Sequence, residues 1–295
     1  YRTLTIPENP EEIVYDGTEI NILDKATNAT LAQLMAQYGD YVTIVGNKAT
    51  NVGEQMLYLA IKDEYGNAIR WDNGTEQGLL GTYSILWKIT PILLVRPEFD
   101  SDKKLEYDGK EHSVYEFIKG YDVDDVPQSI KDLMKHVNET NGRSINAGSF
   151  NAVLSLPGDN YAWCDASGNL LTDRSSVEYT WTINQKLIDF NNAYWGYMDG
   201  DNPVAYDSTK PFVYTISNGA AQPFTIEMLG MPEILKLYAK YTTNGVAGNS
   251  ASAVDVYVTR VEFDLSKLDM RNYTIGNQLS PELSEIEWEI VPREF

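Results

Sequence analysis

Three short landmarks recur in the same order along the chain, and this recurrence constrains the fold more than any other feature. Val14-Tyr15-Asp16-Gly17, Glu106-Tyr107-Asp108-Gly109 and Ala205-Tyr206-Asp207-Ser208 form the first set. Asn51-Val52-Gly53, Asn146-Ala147-Gly148 and Val246-Ala247-Gly248 form the second. Trp87-Lys88-Ile89-Thr90, Trp181-Thr182-Ile183-Asn184 and Trp288-Glu289-Ile290-Val291 form the third. Each landmark returns after roughly 100 residues, the mark of an internal repeat. The 295 residues therefore read as three copies, 1–91, 92–185 and 186–295, and not as the two domains that length alone suggests.

The landmarks have physical readings. Asp-Gly is a turn, because glycine tolerates positive φ, and extended segments flank it. Ile20 and Ile22, then Val114, Tyr115 and Phe117, then Phe212, Tyr214 and Ile216 follow the three turns, with the alternation of half-buried strands. The second landmark opens the clearest strands. Phe150, Ala152, Leu154 and Leu156 alternate with more polar neighbours, as do Val254, Val256 and Val258. Leu57, Leu59 and Ile61 interleave with Met56, Tyr58 and Ala60, which predicts burial on both faces or an interface. Trp and Ile of the closing landmark lie two apart, so they share one face and enter the core. Each copy also holds a helix pattern with steps of 3, 1 and 3. The sets are Leu31, Leu34, Met35 and Tyr38; Ile130, Leu133, Met134 and Val137; and Ile234, Leu237, Tyr238 and Tyr241. Asn28 or Thr30 suits the first helix cap, and Pro127 and Pro232 sit at tolerated starts. The fold class is mainly β: three tandem immunoglobulin-like antiparallel β-sandwiches, each with a short inserted helix.

The same residues resemble a known family. Tyr-Asp-Gly, then Asn146-Ala147-Gly148-Ser149-Phe150, Asn160-Tyr161-Ala162-Trp163 and Tyr179-Thr180-Trp181-Thr182-Ile183 resemble the MBG-type bacterial immunoglobulin-like repeat. The second copy matches best. The first has Asn67-Ala68-Ile69-Arg70-Trp71 in place of the Asn-Tyr turn. In the third, Ser208 replaces glycine, and Asn272-Tyr273 lacks the following Trp. The resemblance implies β-sandwiches from a large secreted or cell-surface bacterial protein, extracellular or cell-wall attached, where such repeats serve as stalks or adhesive modules. It sets architecture better than activity.

Composition narrows the function classes. With 43 acidic and 23 basic residues the net charge is −20, against the clustered Lys and Arg that nucleic acid requires. No apolar run approaches the ~20 residues of a membrane-spanning helix. A single cysteine makes no internal disulfide, and two histidines leave little for a transition metal. The start Tyr1-Arg2-Thr3 fits removal of a leader or an excerpt of a longer chain. His112, His136 and Cys164 have no ligand-spaced or catalytic partner, and no nucleophile-elbow, P-loop or dinucleotide motif occurs. The expectation is no enzyme, and no required cofactor. Calcium is the one ion the loops suggest, through Asp199 and Asp201, with further acids at Asp100/Asp102 and Asp122/Asp124/Asp125. Against an EF-type loop, the twelfth position from Asp199 is Lys210.

One segment stands apart from the repeats. Asn191-Asn192-Ala193-Tyr194-Trp195-Gly196-Tyr197-Met198 joins copies two and three and has no counterpart between one and two. Tyr194, Trp195 and Tyr197 could stack on a sugar ring or meet a host or matrix protein. They could equally pack, as a further strand of the third copy. Two readings follow: a non-catalytic stalk or adhesive segment, or a carbohydrate- or host-protein-binding module. The short apolar links Thr90-Pro91-Ile92-Leu93 and Asn184-Gln185-Lys186-Leu187 favour a stiff rod, on the order of 100 Å for three units with strands of ~9–10 residues.

Overall fold

The computed structural model describes residues 2–5, 12–24, 28–73, 75, 78 and 80–294. Tyr1 and Phe295, the outer bounds of the first and third copies, lie outside the described residues. The chain is mainly β, with several sheets. It divides into two compact units. One comprises Tyr1–Lys103, Ser113–Arg143 and Phe150–Trp181; the other comprises Lys104–His112, Ser144–Ser149 and Thr182–Phe295. The first copy falls in one unit and the third in the other, while the second contributes to both.

One sheet order occurs three times. The first copy's sheet runs Ile13–Val14, Thr82–Thr90, Gly53–Ile61, Val42–Val45. The second runs Leu105–Glu106, Val177–Asn184, Gly148–Ser155, Asn138–Thr140. The third runs Phe212–Val213, Glu285–Val291, Asp255–Phe263, Ala239–Thr243, with Val246–Ala247 added at its edge. In every case the short edge strand, Ile13–Val14, Leu105–Glu106 or Phe212–Val213, lies parallel to the Trp-x-Ile strand. The strand after the helix pairs antiparallel with the central one. The sheets are thus mixed, where wholly antiparallel pairing was expected. Alternation fixes which face a residue takes but carries no strand direction, so the sequence pattern could not report this.

In the first unit, Leu4, Ile22, Leu31, Leu57, Leu59, Trp71, Ile85, Trp87 and Ile89 close around one core. On the Gly53–Ile61 strand only one face is buried: Leu57 and Leu59 point in, and Met56 and Tyr58 point out, 38% and 42% exposed. The helix Ala29–Tyr38 starts at Asn28, whose side chain accepts from the Leu31 amide at 3.0 Å. Trp87 Nε1 donates to the Gly46 carbonyl at 3.1 Å, and Trp181 Nε1 to the Asn141 carbonyl at 3.0 Å. Each ring thus buries its apolar body and keeps its one donor satisfied. Val114, Tyr115 and Phe117 depart from the expected strand and form a 3-10 helix, Val114–Phe117. A reciprocal capping box between Ser113 and Glu116 accounts for it. The helix Gln128–His136 follows Pro127 and buries Ile130 and Leu133, while Met134 faces solvent.

In the second unit the third copy shifts three expectations. Its helix is a single turn, Glu233–Lys236, that buries Leu235; Leu237 is 76% exposed and Tyr241 lies in the Ala239–Thr243 strand. Val246-Ala247-Gly248 belongs to a hairpin in which Ala247 faces Thr242. Register gives the true counterpart, since Asp255 lies opposite Ile290 as Gly53 lies opposite Ile89. Ala253-Val254 therefore stands where the first copy has Asn51-Val52. Tyr206 is displaced likewise. The Tyr15 and Tyr107 amides donate to Thr90 and Asn184 at the end of the last strand, and in the third copy it is Tyr214 that donates to Val291. Asp207 accepts from the Thr209 amide and hydroxyl as Asp16 does from Thr18. The likeness in sequence was that of a local Asx turn, not of sheet register. The valine face is also reversed: Val254 and Val256 are exposed, and Thr259 is buried, accepting from Trp288 Nε1 at 2.8 Å.

A single residue separates strands at each link between copies. Pro91 lies between Thr82–Thr90 and Ile92–Val95, and Gln185 between Val177–Asn184 and Lys186–Ile188. In the first unit Ile92–Val95 runs parallel to Tyr161–Cys164. In the second, Lys186–Ile188 runs parallel to Tyr273–Ile275.

Candidate functional site

The aromatic segment forms the strand Tyr194–Asp199, the middle of a three-stranded sheet between Asn202–Ala205 and Glu227–Leu229. Its sequence suits that place, because aromatic side chains fill a pleated, half-buried surface. Trp195 is only 6% exposed and belongs to the core with Phe190, Met228 and Leu235. Its Nε1 donates to the Leu283 carbonyl at 2.8 Å, and its ring lies 6.1 Å from Tyr241 at 64°. Trp195 thus packs as a strand residue of the third copy, the second of the two placements its sequence allowed. Gly196 is needed beside it: a Cβ there would meet the Val204 carbonyl and the Leu229 side chain.

The pleat sends Tyr194 and Tyr197 to opposite faces of this strand. Tyr194 is half-buried near Gly230. Tyr197 is half-buried, edge-on to Phe212 at 5.0 Å, and lines a groove of about 380 Å³ with Phe212, Phe224, Pro223 and Glu227. The three expected contacts do not share one surface, and Tyr197 opens onto this groove.

Asp199 and Asp201 flank Gly200, whose φ of 62° makes the hairpin, and both carboxylates are exposed. Among the described residues, no group of three or more His, Cys, Asp or Glu side chains is placed to hold a metal ion. The other acid clusters turn the backbone. Asp100 accepts from the Asp102 amide at 2.9 Å, and Asp122 from the Asp124 amide at 3.0 Å. The same chemistry holds Asp16 and Asp207 below the usual carboxylate range, chiefly through the hydroxyls of Thr18 and Thr209.

The remaining titratable candidates are engaged structurally. His112 Nε2 lies 3.1 Å from Asp108 Oδ1, and the His136 ring packs 5.3 Å from Tyr161. Cys164 ends the Tyr161–Cys164 strand in the core, where burial pushes its thiol up, away from thiolate chemistry. A larger groove, about 480 Å³, lies between the helix Gln128–His136 and Ile92–Val95, floored by Ile118, Ile130 and Leu133. On its rim Lys119 pairs with Glu98 at 3.2 Å and Arg96 with Asp173 at 3.4 Å, while Asp165 accepts from the Asn169 side chain at 2.9 Å.

Sequence reasoning missed the residues that bridge consecutive copies. Asn160 and Asn272 served as family landmarks only, yet each reaches the preceding copy with its side chain. The signal available in the sequence was the recurrence of Asn-x-Gly at Asn51 and Asn146 and of Asn-Tyr at Asn160 and Asn272.

Comparison with protein-family models and with the curated proteins gives no match. The structure by itself defines a mainly β, multi-sheet protein. No helix among the described residues is long and apolar enough to cross a membrane.

Proposed function

We propose that the chain is a non-catalytic structural or adhesive segment of a bacterial cell-surface or secreted protein. In this reading three immunoglobulin-like sandwiches, each with a short helix, stand in series and transmit force to whatever they project. The observation that carries it is the one-residue link. The last strand of one copy passes through Pro91 or Gln185 directly into a paired strand of the next. So short a connection leaves the chain almost no slack between copies.

Pulling the chain from its two ends in a single-molecule force experiment tests this. The expected record is three unfolding events, each releasing about 30 nm, the length gained when ~95 residues go from folded to extended. One event spanning the whole chain, or extension without resistance, overturns the reading. A second reading is supported by the Tyr197 groove, which has the aromatic wall and carboxylate of a sugar-binding surface. It requires saturable binding on a glycan or matrix-protein array that Tyr197→Ala removes.

A further inference from the structure

We propose that Asn160 and Asn272 are keys that lock each copy onto the one before it, fixing the angle and register of the joint. This deepens the structural reading above and rests on it. At the first joint, Asn160 Oδ1 accepts from the Val52 amide at 2.9 Å, and its Nδ2 donates to Asn51 Oδ1 at 3.1 Å. At the second, Asn272 Oδ1 accepts from the Ala147 amide at 2.8 Å, and its Nδ2 donates to Asn146 Oδ1 at 3.0 Å. The two joints use the same atoms in the same sense, over sequence separations exceeding 100 residues. A ring contact accompanies each. Tyr161 meets Tyr15 edge-on at 6.0 Å and 76°, and Tyr273 meets Tyr107 at 5.3 Å and 78°. The key's own carbonyl accepts from the strand entering the copy: Ile92 N at 3.1 Å and Lys186 N at 2.9 Å.

An asparagine side chain suits this role because it offers an acceptor and a donor on one planar group. It satisfies a backbone N–H and a facing amide oxygen at once, which only one relative placement of the two copies allows. The second joint is the drier. Asn272 is 3% exposed and Ala147 6%, and the spare Asn272 N–H is taken by Asp269 Oδ2 at 3.0 Å. A buried polar group that is paired in one register and unpaired in others acts against the alternatives, as single buried asparagines do in coiled coils.

The corresponding backbone positions of the first copy, for the key, and of the third, for the lock, carry no asparagine. Ala68 stands where Asn160 and Asn272 stand, its carbonyl accepting from Arg2 N at 2.7 Å. Ala253-Val254 stands where Asn51-Val52 and Asn146-Ala147 stand, by the register with the last strand. Key and lock thus occur together at both joints described.

The test uses the full chain with spin labels at Glu54 and Glu178, on the first and second copies, in a Cys164→Ala background. Both sites are exposed and lie in the first compact unit. The expected result is a narrow interlabel distance distribution that broadens at least twofold in Asn160→Ala, with the far-ultraviolet spectrum unchanged. Asn51→Ala, at an exposed position, removes only the amide–amide bond and gives a smaller broadening, which covers the case in which Asn160→Ala fails to fold. A width unchanged in both variants overturns the key. That outcome leaves the three force events untouched, and loss of those events leaves the width untouched, so the two readings fail separately.

Discussion

Trp195 shows how one residue type serves two opposite roles, with burial deciding between them. Within a run of aromatics and amides it reads as a ligand platform, yet its ring lies in the core and its only donor is held by the Leu283 carbonyl. Removing it deletes buried area and leaves a cavity, a change of ~3–5 kcal/mol. Trp195→Ala is thus expected to lower the urea midpoint sharply, with no selective loss of any binding. A variant that kept its stability while losing a ligand would return Trp195 to the binding reading. Thr259 makes the complementary point, as a polar residue in the core that is tolerated because Trp288 Nε1 and the Thr243 hydroxyl, at 2.8 and 2.9 Å, satisfy it. The asparagine keys belong to this scale too, since each joint turns on the two ends of one amide.

The elements show which sequence signals reach structure. The closing Trp-x-Ile strands were legible in all three copies, because two residues on one face with a buried tryptophan leave no other register. The helix of the first copy was legible from its stripe and its Asn28 cap. The third copy was not, because its Tyr-Asp-x and Val-Ala-Gly segments repeat the chemistry of a turn while the sheet is set by Tyr214 and Asp255. Local turn chemistry is specified within four residues; register is specified across the sheet. Strand direction was equally hidden, and so were the joints, whose partners lie over 100 residues apart. One glycine gives an element-level prediction. Gly46 has a φ of 80° and faces the Met56 carbonyl so closely that a Cβ would strike it. Its own carbonyl holds Trp87 Nε1. Gly46→Ala is expected to destabilise by roughly 2–3 kcal/mol, beyond the cost of backbone strain alone. Thermal unfolding within experimental error of the parent would mean that the turn at Gly46 relaxes without moving Trp87.

Across the whole molecule the net charge of −20 is spread over all three copies. Many surface ion pairs accompany it, including Lys48–Glu19, Lys88–Glu12 and Arg260–Glu285, all of them exposed. Exposed pairs of this kind add little stability each, so repulsion among the surplus carboxylates is expected to dominate the salt response. Raising the salt from about 0.01 M to 1 M shortens the Debye length from roughly 30 Å to 3 Å. The melting temperature is expected to rise by ~2–4 °C, about 1 kcal/mol for a protein of this size; a fall would show that the ion pairs outweigh the repulsion. The parallel strand pairs at the edges of the three sheets bear on a different response. Ile13–Val14 beside Ile89–Thr90, Leu105–Glu106 beside Ile183–Asn184, and Phe212–Val213 beside Ile290–Val291 all run in the same direction. Tension that pulls the two strands of such a pair in opposite directions draws them past each other along the strand axis. Their hydrogen bonds are then strained in shear, all together, whereas an antiparallel terminal hairpin would peel open one bond at a time.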